Sequence, residues 1–295
     1  MSGHRNAIPR LMPSTPPLVE GHGGLPKIVV AGADGARFEA YLHGAQVTSW
    51  CPADDGGERL FMSEAAHFAP GESIRGGVPV CFPQFADQGP LPMHGFVRLM
   101  PWSVVSAGQR DGAAHALFRL TDDASTRALW PHAFACELEV TALARSLTIE
   151  LRIGNTGADA FDFTMALHTY LRVQNVRDVR ITGFSGAHYR DKVLRQNDVT
   201  EQAPDLAIDR PIDRVYRVVP QVVELHDGGQ TLQVRASGTT DTVVWNPGPP
   251  TAATPADLAP NSYSSFVCIE AAVASAPQTV AGGQTLRLAQ VLTLV

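Results

Sequence analysis

The residues of this chain best equipped to move protons are a histidine and a glutamate, each set in a run of strand-like apolar residues. His168 lies in FDFTMALHTYLRV, residues 161–173, and Glu270 in FVCIEAAVA, residues 266–274. In the first run a period of two puts Phe161, Phe163, Met165 and Leu167 on one face, the expected core side. Asp162, Thr164, Ala166, His168, Tyr170 and Arg172 share the other face. An imidazole titrates near neutrality, so on a polar and aromatic face it suits proton donation and a structural hydrogen bond equally. Glu270 reads either as a strand-end carboxylate facing water or as a partly desolvated base whose proton affinity is set by its surroundings.

The second group sits in a stretch rich in Gly and Pro without sustained alternation, residues 71–102. Arg75 precedes Gly76 and Gly77, whose missing side chains would let backbone amides and a ligand come close. His94 and Arg98 are four apart, which places them on one face of an extended strand or of a helical turn. Two convergent arginines would receive a phosphate in a forked geometry; taken singly, each reads as a surface or loop-bracing residue. Asp213, in IDRVY, either accepts hydrogen bonds from the hydroxyls of a ligand or pairs with its neighbour Arg214, and adjacency favours the pair.

The elements that must hold these residues are strands. From Lys27 onward, alternating or β-branched runs recur, among them KIVVA, QVTSW, HALFRL, FACELEVTAL, SLTIELRI, VVELHD, TLQVRA, DTVVW and LRLAQVLTLV. Turn signals such as NTGA, DGGQ and AGGQ separate many of them, and only ASTRALW, near residue 125, reads as helix. Many strands with short connections predict an all-β, antiparallel sandwich or barrel over residues 27–295, preceded by a tail over residues 1–26. Residues 204–217 read as a charged connection. Long irregular connections in a compact domain are usually functional, and those over 71–102 and 204–217 are too apolar for disorder.

Composition narrows the partners. A formal net charge of −6 argues against a nucleic-acid surface, which needs a basic footprint. Cys51, Cys81, Cys136 and Cys268 match no zinc spacing and read as buried thiols of a reducing compartment, so no metal is expected. No stretch reaches the length of a membrane span and the N-terminus lacks the apolar segment of a signal peptide, so a cytosolic protein with no membrane partner is expected. There is no G-x-S-x-G elbow, no P-loop and no H-E-x-x-H pair, and GADGARF leads into a strand rather than a helix, against dinucleotide binding.

Taken in order, SIRGGVPVCFPQF, LPMHGFVRLMPW, ALHTYLRV, DRVY, VVWNP and FVCIEA resemble the glucose-6-phosphate 1-epimerase family, within the galactose mutarotase-like superfamily. The likeness runs from about Lys27 to the C-terminus. It implies a supersandwich of antiparallel strands with a sugar site on the concave face. His168 would be the general acid and Glu270 the general base of anomer exchange in a hexose 6-phosphate. Arg75, His94, Arg98 and Asp213 would bind substrate, the arginines toward the phosphate. Neither metal nor organic cofactor is implied, and a sandwich with covered edges needs no partner, so a monomer is expected. This chain departs from the family pattern at Pro211 and Ile212, ahead of Asp213. Action on an unphosphorylated aldose, or sugar sensing without catalysis, are the competing readings; convergent arginines would discriminate against the first and the His168/Glu270 pair against the second.

Overall fold

A computed structural model describes residues 18–54, 57–251 and 254–295. Among them, the strands form three antiparallel sheets of four, eight and nine strands. The expected helix is present as Ala124–Leu129, capped by Asp123, whose side chain accepts from the Thr126 amide at 2.9 Å. No helix among the described residues is long and apolar enough to cross a membrane. The tail expected over 1–26 falls outside the described residues as far as 17; beyond that, Val19–Glu20 pairs with Pro26–Ala31 as the edge of the four-stranded sheet.

The nine-stranded sheet and the eight-stranded sheet stack face to face. Along Phe134–Leu143 burial alternates residue by residue, so Leu138, Val140 and Ala142 enter the core while Glu137 and Glu139 face outward. From the other layer Leu167, Val244, Val267, Ile269, Ala271 and Val273 meet them. One polar tether crosses this core: Gln290, on Thr285–Leu294, donates to the Ile269 carbonyl at 2.9 Å and accepts from the Thr169 hydroxyl.

The eight-stranded sheet carries the site. Its order is Gln196–Thr200, His188–Asp191, Ile212–Tyr216, Asp241–Asn246, Phe266–Val280, Phe161–Leu167, Val80–Cys81, with Tyr170–Arg172 also paired to Phe266–Val280. The reading of 204–217 as a charged connection is therefore corrected. Ile212–Tyr216 is an interior strand, hydrogen-bonded on both sides. Its charge is tolerated because Arg214, turned away from the concave face, is satisfied by Glu201 at 2.6 Å and Asp191 at 3.4 Å and lies over the Tyr189 ring. The pairing of Asp213 with Arg214 is corrected with it, since successive strand residues point to opposite faces.

Candidate active site

One-face burial of 161–173 does not hold either: both faces are covered, and the strand is interrupted at His168 and Thr169. There the Thr169 amide turns back to the Leu167 carbonyl at 3.0 Å, while the His168 amide bonds the Pro79 carbonyl. Register is unchanged across the kink, from Leu167 opposite Ala271 to Tyr170 opposite Cys268, so His168 comes directly across from Glu270. The kink thus aims the imidazole without uncoupling the strands.

His168 Nε2 lies 3.5 Å from Glu270 Oε1, the histidine 6% and the glutamate 1% exposed. His168 Nδ1 and Glu270 Oε2 are buried with no protein partner, which is uncommon for buried polar atoms and is expected where a ligand completes the bonding. Burial, then the neighbouring Asp213, push the Glu270 carboxyl well above its ordinary range, with Lys192 opposing. Burial, then His94, Arg75 and Arg98, push His168 well below its own. Both shifts run toward the uncharged forms of the pair, and only 3.5 Å separates the two atoms between which a proton would pass.

The other expected residues converge on this pair. His94, in left-handed backbone (φ 65°), sets its ring edge-on to His168 with centroids 5.3 Å apart. Its Nδ1 accepts from the Ala86 amide at 3.3 Å, which assigns the ring proton to Nε2. Burial and the two arginines lower its pKa to about 3, so it stays a neutral donor. Arg98, in the short 3-10 turn Val97–Leu99, donates from Nη2 to the Met93 carbonyl at 2.9 Å, and its Nε is buried without a protein partner. Arg75 arrives already paired: Nε meets Asp257 Oδ1 at 3.1 Å and Nη1 meets the Tyr170 hydroxyl at 3.0 Å. Its remaining N–H groups are left to donate elsewhere. What approaches Gly76 and Gly77 is the chain's own backbone. A Cβ there would lie 2.4 Å from the Phe61 carbonyl oxygen and 2.2 Å from that of Val47, and φ is positive at both.

Asp213 also reaches the concave face, and the departures at Pro211 and Ile212 leave Asp213 opposite Trp245, in register. Its carboxylate meets Lys192 Nζ at 2.9 Å. Four residues that sequence reasoning did not single out complete the surroundings. Tyr170 stacks on His168 (4.8 Å, 11°) and Trp245 stands edge-on to it (5.7 Å, 79°), one wall of the cleft. Tyr170 is two residues from His168 and shares its face, a signal that was available. Lys192 and Asp257 carried none, because register and a 182-residue separation bring them in. Cys268 lies across from Trp245 in register and, with His168 and Glu270, brings three potential metal-donor atoms within 4.8 Å of one another.

A buried base and acid, each with one polar atom lacking a protein partner, flanked by cations and walled by aromatic rings, can exchange protons with two oxygens on one carbon. Comparisons with known proteins show the family. A model of the aldose 1-epimerase family matches residues 26–293. A curated relative from Cenchrus ciliaris, provisionally named glucose-6-phosphate 1-epimerase, is 36% identical over 281 residues, 92% of this chain and 85% of its own. One of the same provisional name from Escherichia coli strain K12 is 36% identical over 84% of each chain. A solved structure from Salmonella typhimurium, provisionally called a mutarotase, matches with a TM-score of 0.84 at 29% identity, over 95% of this chain and 96% of that one. A kinked strand that sets His168 against Glu270 on the concave face of a β-sandwich is thus found in a chain that belongs to the aldose 1-epimerase family.

Proposed function

We propose that this protein interconverts the α and β anomers of a hexose 6-phosphate, with His168 and Glu270 as its proton-transfer pair. The observation that carries the reading is the pair itself: 3.5 Å apart, buried, each with a polar atom lacking a protein partner. Anomer exchange takes the proton from the C1 hydroxyl and delivers one to the ring oxygen. The bond between C1 and the ring oxygen breaks, the aldehyde turns about C1–C2, and the same oxygen closes on the opposite face. Glu270 accepts the hydroxyl proton and His168 protonates the ring oxygen; on closure each proton returns by the reverse route. Each transfer contributes about 10²–10⁴-fold.

This direction needs ionised Glu270 and protonated His168, the tautomer that the empty site disfavours. Burial opposes the imidazolium first, but so do Arg75 and Arg98. A phosphate received by Arg98, whose Nε lacks a protein partner, offsets that positive charge. The substrate's own charge then eases the shift of the proton onto His168. Trp245 and Tyr170 give the ring an aromatic wall, and His94 donates from Nε2 to a ring hydroxyl.

One observation favours a second reading, action on a free aldose: Arg75, paired with Asp257, brings little uncompensated charge. Exchange NMR of the anomeric protons separates the two. Glucose 6-phosphate should exceed glucose in kcat/KM by about 100-fold or more, the worth of two charge-assisted hydrogen bonds. Equal values would overturn phosphate recognition and leave a free-sugar epimerase.

A further inference from the structure

We propose that the floor of the cleft is also a binding site for a zinc-class divalent cation, held by His168, Cys268 and Glu270. While bound, the ion blocks turnover. One donor atom from each residue lies within 4.8 Å of the other two, and all three residues are buried. The placement follows from the sheet. Cys268 and Glu270 are two apart on Phe266–Val280 and so share a face, and His168 meets Glu270 across the strand pair. One nitrogen, one sulfur and one oxygen donor are the set that four-coordinate zinc prefers. Zinc bonds of 2.0–2.3 Å hold tetrahedral ligand atoms about 3.3–3.8 Å apart, so closing the site from separations of up to 4.8 Å shortens them by about 1.5 Å at most. The fourth position falls to water or to a substrate hydroxyl.

A second observation points the same way. Glu270 Oε2 is buried without a protein partner, and a cation would supply one. Binding displaces the thiol proton of Cys268, and any proton on Glu270, to solvent, and the thiolate and carboxylate bond the ion. Because binding releases protons, affinity rises with pH. The blocking half of the proposal rests on His168 and Glu270 being the proton-transfer pair, since the ion occupies the imidazole lone pair and the carboxylate.

The test uses the full chain and Co²⁺ as a spectroscopic probe. Titration should build a thiolate-to-cobalt charge-transfer band in the near ultraviolet, saturating at one ion per chain and erased by Zn²⁺. Cys268→Ala and Cys268→Ser should lose the band, and Cys51→Ala should keep it. Loss of even an outer partner costs 10–100-fold in affinity, so loss of the thiolate should weaken Zn²⁺ by about 100-fold or more. Circular dichroism on both Cys268 variants separates loss of a ligand from loss of fold. If neither folds, Glu270→Gln replaces them and must weaken Zn²⁺ while keeping the band. Absence of a band in the wild type, or its survival without Cys268, overturns the site. A band with undiminished turnover upholds the cation site and instead overturns the proton-transfer role of the pair.

Discussion

Among the histidine–glutamate pairs of the described residues, one on the nine-stranded sheet and one on the eight-stranded sheet behave in opposite ways. On the outer face of the nine-stranded sheet, His115 Nε2 meets Glu139 Oε1 at 2.9 Å, closer than His168 meets Glu270. Burial would raise the Glu139 carboxyl, yet hydrogen bonds from His115 and Arg152 outweigh it and hold the group below its usual range. Arg110 adds a third donor at 3.1 Å. Glu270 has no such donors, and the charge that acts on it most is the carboxylate of Asp213, which raises it further. A histidine beside a carboxylate therefore does not make a proton relay. What matters is whether cations hold the carboxylate ionised, as around Glu139, or burial drives both partners toward their uncharged forms, as at His168 and Glu270.

The sharpest way to break this comparison is to make the same changes in both pairs. His168→Ala and Glu270→Gln should lower kcat by about 10²-fold or more with the fold retained. His115→Ala and Glu139→Gln should leave kcat unchanged and be felt in urea unfolding, by about 1 kcal/mol. Turnover by a folded Glu270→Gln protein at the wild-type rate would erase the distinction.

Next in size is the rim. Arg98→Ala should reduce kcat/KM for glucose 6-phosphate by about one to two powers of ten and spare the reaction of free glucose. Equal losses on both sugars would make Arg98 a brace for the loop through its bond to Met93.

The tether behind the site comes third. Gln290→Leu leaves the Ile269 carbonyl and the Thr169 hydroxyl without their partner in the core and should cost about 1–3 kcal/mol in urea unfolding. No loss would show that the kink at His168 holds itself.

The smallest effects are in the pH dependence of stability, and their signs differ. His94, lowered from 6.5 to about 3 in the folded state, contributes stability that is full above pH 6.5 and is lost as pH falls toward 3. The wild-type urea midpoint should drop between pH 7.5 and pH 5 more than that of His94→Gln. Glu270, raised in the folded state, contributes stability that is present in acid and lost as pH rises through its raised value. Glu270→Gln should therefore gain on the wild type as pH rises above 4.5. A constant difference across either range would contradict the corresponding shift.

The strands with a solvent-facing side were legible because their sequence alternates: FACELEVTAL is the strand Phe134–Leu143 to the residue. Ile212–Tyr216 was not, because a buried Arg214 is permissible only through Asp191 and Glu201, 23 and 13 residues away. Likewise the charged pair at Asp213 depends on register with Lys192 and not on the adjacent arginine. His168 and Glu270 stood out as polar groups in apolar runs. The offset of Arg75 by Asp257 is a contact between segments that sequence spacing does not connect.

The central claim is that His168 and Glu270 pass protons as a coupled pair, and the pH profile of exchange tests it most directly. Magnetisation exchange between the α and β anomeric protons of glucose 6-phosphate gives the rate, once spontaneous and buffer-catalysed mutarotation is subtracted. Wild-type kcat/KM should be bell-shaped, with both limbs belonging to the pair, and Glu270→Gln should lose one limb along with most of the rate. A corrected profile that is flat from pH 5 to pH 9, or a Glu270→Gln profile that keeps both limbs, would contradict it.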